Sequence, residues 1–179
     1  MVLNIITPCS RPQNLQKIAE SINIPRENYR WIVVHDSETI PDSPDNCEAY
    51  AVKVDGSQSG HGQRNYALDL IKEGHVYFND DDTLIHPDLW DNIKDLDADF
   101  IHFRQDDKNG LRLLGINVEV GSIDSHNFIV KSDIIGQDRW ILNRYDANGY
   151  FAKAMYNKAK TKKYIPKVLS FYNLLRPSE

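Results

Sequence analysis

The sequence has 179 residues, 41% of them hydrophobic, which is enough for one sizeable core and suits a single domain spanning 1–179. Its net charge of −5 and pI near 5.7 argue against a protein that coats nucleic acid, because phosphate contacts need clustered Lys and Arg. Cys9 and Cys47 lack C-x-x-C spacing, no apolar run approaches the ~18–20 residues that span a bilayer, and the N-terminus lacks a signal-peptide pattern; free thiols, no transmembrane segment and a cytoplasmic location are the expectations.

Val2 to Ile6 is a β-prone run stopped by Pro8, and Pro12 opens a helical pattern in which Leu15, Ile18, Ala19 and Ile22 recur at three- and four-residue spacing. Trp31 to His35 is apolar almost throughout and ends at Asp36, as expected of a strand buried on both faces of a parallel sheet. A loop rich in Ser, Pro, Asp and Asn follows from Ser37 to Asn46. Tyr50 to Val54 reads as a third strand, Gly60-His61-Gly62 as a turn, Asn65 to Ile71 as a helix and Val76 to Phe78 as a fourth strand. Thereafter Pro87 to Ile93 predicts a helix, Phe100 to Phe103 a strand, Leu111 to Val120 a hairpin or meander broken at Gly115, and Phe128 to Val130 a short strand. Ala147, Tyr150, Phe151, Ala154 and Met155 mark an amphipathic helix that begins just after Asp146. The segment Lys153 to Ser178 holds six Lys, one Arg and no acid; it reads as a solvated helix face, with a surface for an anionic acceptor or membrane as the sharper alternative.

Strand and helix alternate through the first half at the cadence of an α/β fold: an open, mostly parallel, Rossmann-like sheet flanked by helices. Ligands of such sheets bind beyond the carboxyl ends of the strands, where Thr7, Asp36, Asp55 and the run Asp80-Asp81-Asp82 all fall. Three adjacent carboxylates repel one another unless a cation sits among them. Extended backbone sends residues i and i+2 to one side, so Asp80 and Asp82 converge and Asp81 turns away. Oxygen ligands of this kind suit Mg²⁺ or Mn²⁺, and nothing in the Cys and His spacing builds a zinc cage.

The other candidates each have a structural and a chemical reading. Asp36 accepts from a base N–H or a ribose hydroxyl, or bonds the backbone of its own loop. Gly60 to Asn65 puts flexible backbone at a helix start with Arg64 ready to fork onto phosphate, or is a plain turn with a surface Arg. Asp146 is a helix N-cap or a general base, with Asp124 the second choice of base. His126 is a metal ligand, phosphate contact or base, or a structural imidazole. Trp140 stacks on a sugar or packs a loop.

Taken in order, Thr7-Pro8, Asp36, the Gly60–Asn65 turn with Arg64, Asp80-Asp81-Asp82 followed by His86-Pro87-Asp88, and late Asp146 resemble the GT-A glycosyltransferases, especially family 2-like enzymes. The resemblance is strongest over the first two-thirds of the chain. It implies a nucleotide-sugar site in about residues 1–105, with Thr7, Pro8, Asp36, Gly62, Arg64, Asp80 and Asp81 among its contacts and Asp36 near the base. It implies Asp82, with Asp80 and His126 as further candidates, on Mn²⁺ or Mg²⁺, and Asp146 as base in an acceptor-side half of about 106–179. The donor is then a UDP-, GDP- or dTDP-sugar, the acceptor a glycan or other hydroxyl, and transfer proceeds with inversion. Here Tyr145 stands where that family often has Glu before the base. The chain is short for the family, which leaves a minimal enzyme or one domain of a longer protein as expectations.

Two rival readings follow from the same residues. A phosphoryl-transfer enzyme of haloacid dehalogenase type resembles Asn79 to Leu84, but aligning Thr83-Leu84 puts an amide, Asn79, where a carboxylate nucleophile is needed. The non-enzymatic rival is a domain that binds a nucleotide sugar or glycan without turnover.

Overall fold

The computed structural model describes residues 1–176. Eight strands form one sheet: β1 Leu3–Cys9, β2 Tyr29–His35, β3 Glu48–Ala51, β4 His75–Phe78, β5 Phe100–Asp107, β6 Gly110–Leu113, β7 Phe128–Lys131 and β8 Lys162–Phe171. The order is β3-β2-β1-β4-β7-β5-β6, with β8 on β5 as well. The first four strands are mutually parallel, β7 runs antiparallel to β4 and β5, and β8 is parallel to β5. Since β7 pairs with the first half of β5 and β6 with the second, β8 takes the opposite edge.

Alternation along the strands feeds two cores. Leu3, Ile5, Tyr77, Ile101 and Phe103 face one side, where Leu15 and Ile18 of α1 (Leu15–Ser21) and Leu89 and Ile93 of α3 (Leu89–Ile93) cover them. Ile6, Val34, Phe78, Phe100 and Phe128 face the other. They are covered by Ala67 and Leu68 of α2 (His61–Asp69), Ile135 of α4 (Ser132–Ile135) and Phe151 and Met155 of α5 (Ala147–Lys158). The helices thus sandwich the sheet, the three-layer arrangement expected of an α/β chain.

Several elements differ from the sequence expectation. β1 runs through Pro8 because the Ile6 carbonyl bonds Asn79 N on the β4 side, so Pro8, two residues on, faces that side beyond the end of β4, where no N–H is required. The third strand starts two residues before and ends three residues before the expected Tyr50–Val54, since the chain turns at Val54–Ser57. α2 starts at His61 rather than Asn65: Gly60 caps it at φ 74°, the left-handed region, and Gly62 is a helical residue. The basic tail is not one helix face. Its regular elements are the end of α5 and β8, whose Pro166 falls in a bulge between the paired residues Ile165 and Val168 and whose exposed Lys162, Lys163 and Lys167 lie along the sheet edge, a placement that discourages pairing with another strand; Pro177 and Ser178 lie outside the described residues.

Candidate active site

β4 ends at Phe78, and the chain turns at once, with Thr83 N bonding the Asp80 carbonyl at 3.3 Å. The three carboxylates of that turn are each pulled by a different cation. Asp80 takes Arg64 Nη2 on Oδ1 and has His126 Nε2 3.1 Å from Oδ2. Arg64 comes from the first turn of α2, its side chain is 1% exposed, it donates to the Ser59 carbonyl at 2.7 Å, and its guanidinium lies 5.0 Å from the centre of the Trp140 ring. Trp140 is fixed in turn by Asn65, whose side chain bonds both its N (2.7 Å) and its carbonyl (3.0 Å). Burial pushes the Asp80 carboxyl up, but the charges of Arg64 and His126 outweigh it and hold the group below the usual carboxylate range. For His126 burial favours the neutral ring, yet the Asp80 carboxylate prevails and raises its pKa.

Asp81 turns back towards the loop after β1. Its Oδ2 accepts from the Ser10 and Arg11 amides, both at 2.6 Å, and its Oδ1 from Arg11 Nη1 at 2.6 Å. Asp82 is buried; its Oδ2 accepts from Arg176 Nε at 2.6 Å and lies 3.6 Å from Arg11 Nη1, whereas its Oδ1 is buried with no hydrogen-bond partner among the described residues. Burial, then the neighbouring Asp80 charge, raises the Asp82 pKa against the pull of His126 and Arg176.

Two clefts open at this turn. The first, of about 230 Å³, is walled by Pro8, Arg11, Asp36, Gly60, Gln63 and Asp80 to Asp82. Asp36 there accepts from Gln63 Nε2 at 3.1 Å through one oxygen only. The second, of about 280 Å³, is walled by Arg64, Arg112, Asp124, Tyr145, Asp146 and Asn148. Ser59, Asp80 and Arg176 belong to both, so the clefts meet at Asp80. The first cleft lies past the carboxyl ends of β1, β2 and β4, where an α/β sheet presents its ligands.

No protein-family model matches the sequence, and no curated protein does. Solved structures do match. The chain superimposes on Staphylococcus aureus TarS 1-349 with a TM-score of 0.74 at 15% identity, over 97% of this chain and 60% of that one. The complex of the same protein with UDP-GlcNAc gives 0.75 at 15% identity, over 100% and 60%. The mannosyltransferase PcManGT from Pyrobaculum calidifontis, solved with GDP-Man and Mn²⁺, gives 0.65 at 11% identity, over 96% and 56%. The fold is that of a GT-A glycosyltransferase. The chain spans about 60% of the length of the TarS 1-349 structures.

Within this GT-A fold the sequence-predicted residues separate into three groups. Pro8, Asp36, Asp80, Asp81 and Asp82 line the first cleft, and Arg64, Asp80, Asp124 and Asp146 line the second. Thr7 and Gly62, expected among the nucleotide-sugar contacts, line neither cleft. Thr7 is fully buried in the sheet, its hydroxyl accepting from Trp31 Nε1 at 2.9 Å, and Gly62 packs on α2's inner side, where a Cβ would lie 2.6 Å from Val54 Cβ. Asp55 sits in an exposed turn beyond β3. His126 is 1% exposed and reaches the site through Asp80, so it stands behind the carboxylate rather than in either cleft. Asn79 is buried with its amide on the Asp80 and Thr83 carbonyls, which leaves the dehalogenase-type reading without a nucleophile at that position.

Of the two candidate bases, Asp124 is already consumed, by Arg112 (2.8 Å), Asn148 Nδ2 (2.9 Å) and the Ser125 amide (2.7 Å). Asp146 occupies the N-cap position of α5 without capping it; Arg144 grips both of its oxygens (2.9 and 3.0 Å), and this pairing lowers its pKa. Trp140 packs, stacked on Phe151 at 4.4 Å, and does not line the clefts. Sequence reasoning missed Arg11, Gln63, Arg112 and Arg176. Arg11 was findable, standing two residues beyond Cys9 at the end of β1. Arg176 carried no local signal, since it reaches Asp82 across 94 residues of sequence.

Proposed function

We propose that the chain is a metal-dependent glycosyltransferase that moves a sugar from a UDP-, GDP- or dTDP-sugar to a hydroxyl of a glycan or other acceptor, with inversion. One observation carries this reading: two clefts share Asp80 as a wall, and one presents a free Asp36 oxygen and the acidic turn while the other presents Asp146. In this reading the nucleotide takes the first and the acceptor the second, which puts the reacting carbon at their junction. The neighbours named with UDP-GlcNAc and with GDP-Man support a nucleotide-sugar donor.

The donor set fits one Mn²⁺ or Mg²⁺. Among the described residues no group of three or more His, Cys, Asp or Glu is arranged as a ready-made metal cage. Mg²⁺-type ions are commonly held by one or two carboxylates together with substrate phosphates, and Asp82 Oδ1, buried and without a partner, offers such an oxygen. When bound, the ion supplies Lewis-acid stabilisation of the departing diphosphate. Asp36 accepts from the base or ribose, and Asp80, kept ionised by Arg64 and His126, still has lone pairs for a ribose hydroxyl. Asp146, ionised through Arg144, accepts the acceptor hydroxyl's proton from the side of the sugar away from the diphosphate.

The test is a pair of substitutions followed by calorimetry and transfer assays. Asp82→Ala abolishes metal-dependent donor binding; Asp146→Asn keeps that binding and loses transfer by roughly 10²–10⁴-fold. Loss of donor binding in Asp146→Asn contradicts its role as the base.

A further inference from the structure

Arg176 is placed unlike any other cation of the site. Its Nε donates to Asp82 Oδ2 at 2.6 Å, it is among the residues shared by the two clefts, and its side chain is half exposed. Its backbone is anchored: the preceding residue, Leu175, donates its N–H to the Asp82 carbonyl at 2.8 Å and packs against the core. The guanidinium can therefore swing while the chain beneath it stays. Arg11, the other cation near Asp82, lacks that freedom, being committed to both oxygens of Asp81 through its side chain and its amide.

We propose that Arg176 is a switch between the metal carboxylate and the donor's diphosphate, an inference that rests on the glycosyltransferase reading. In the empty site it neutralises Asp82. A divalent cation arriving at Asp82 Oδ1 repels the guanidinium a few ångströms away on the same carboxylate, and the released side chain turns into the junction of the clefts, where the diphosphate carries the charge it seeks. Arg176 thus opposes metal binding before the nucleotide arrives and supports the nucleotide once the metal is in place. Metal and nucleotide bind cooperatively as a result, each removing the penalty the other faces.

The two effects have opposite signs, which a merely structural residue does not produce. Mn²⁺ binding to the nucleotide-free protein is measured by the EPR signal of free Mn²⁺, and binding of UDP, GDP and dTDP in saturating Mn²⁺ by calorimetry. Arg176→Ala is expected to tighten Mn²⁺ alone by at least about fivefold and to weaken the preferred nucleotide by at least about fivefold, so that the cooperativity between them collapses. Arg176→Lys, which keeps the charge without the fork, falls between. Unchanged or weaker Mn²⁺ binding in Arg176→Ala overturns the switch, as does unchanged nucleotide affinity. Wild-type protein that binds neither Mn²⁺ nor any of the three nucleotides overturns the glycosyltransferase reading itself, and the switch with it.

Discussion

At the scale of single residues the site is a problem of burying charge. Arg64, 1% exposed, is tolerable only because Asp80, the Ser59 carbonyl and the Trp140 ring surround it. Removing it leaves Asp80 without its nearest cation, so Arg64→Ala should cost about 3–5 kcal/mol in chemical denaturation. A loss under ~1 kcal/mol contradicts the pairing. Asp146 differs, being exposed and held by Arg144 alone among charged partners. If it is the base, Arg144→Ala moves the acid limb of kcat/KM upwards towards the ordinary carboxylate range, because the partner that lowers its pKa is gone. An unmoved limb excludes Asp146 as the group that limits the rate in acid.

At the scale of elements, α2 is pressed onto the turn after β3 so closely that only glycine fits at position 62. Gly62→Ala drives a Cβ to 2.6 Å from Val54 Cβ and should destabilise by roughly 1–3 kcal/mol, with Val54→Ala recovering part of the loss; no recovery contradicts the contact as its cause. The central strands were legible in the sequence because a strand buried on both faces is a continuous apolar run: Trp31–Val34 and Val76–Phe78 declare themselves. β8 was not. It is an edge strand whose Lys162, Lys163, Pro166 and Lys167 mimic a solvated helix, and its only buried apolar residues are Ile165 and Leu169. The site divides in the same way. Asp36, Asp80 and Asp82 stand at strand ends and were found by position, whereas Asp81's attachment to Ser10 and Arg11, and Arg176's to Asp82, depend on tertiary approach that spacing does not encode.

At the scale of the whole molecule, the pair formed by buried His126 and part-exposed Asp80 ties β4 to the turn before β7 and makes stability depend on pH. His126 is raised from 6.5 on folding, so its contribution is complete below that pH and disappears as pH rises through the higher folded value. Asp80 is lowered from 3.8, so its contribution is complete above that pH and is lost as pH falls through the depressed folded value. The Tm gap between wild type and His126→Asn should therefore be widest between pH 3.8 and 6.5 and shrink in alkali; a gap that widens with rising pH refutes the pairing. In the proposed function the sugar passes from a nucleotide donor to its acceptor across the junction at Asp80. The most direct test is donor-sugar hydrolysis with and without Mn²⁺ over a panel of UDP-, GDP- and dTDP-sugars. One nucleotide class is expected to be turned over only with the metal, and Asp82→Ala to abolish that turnover. No binding or turnover of any donor, together with hydrolysis of phosphate monoesters, would contradict the proposed function.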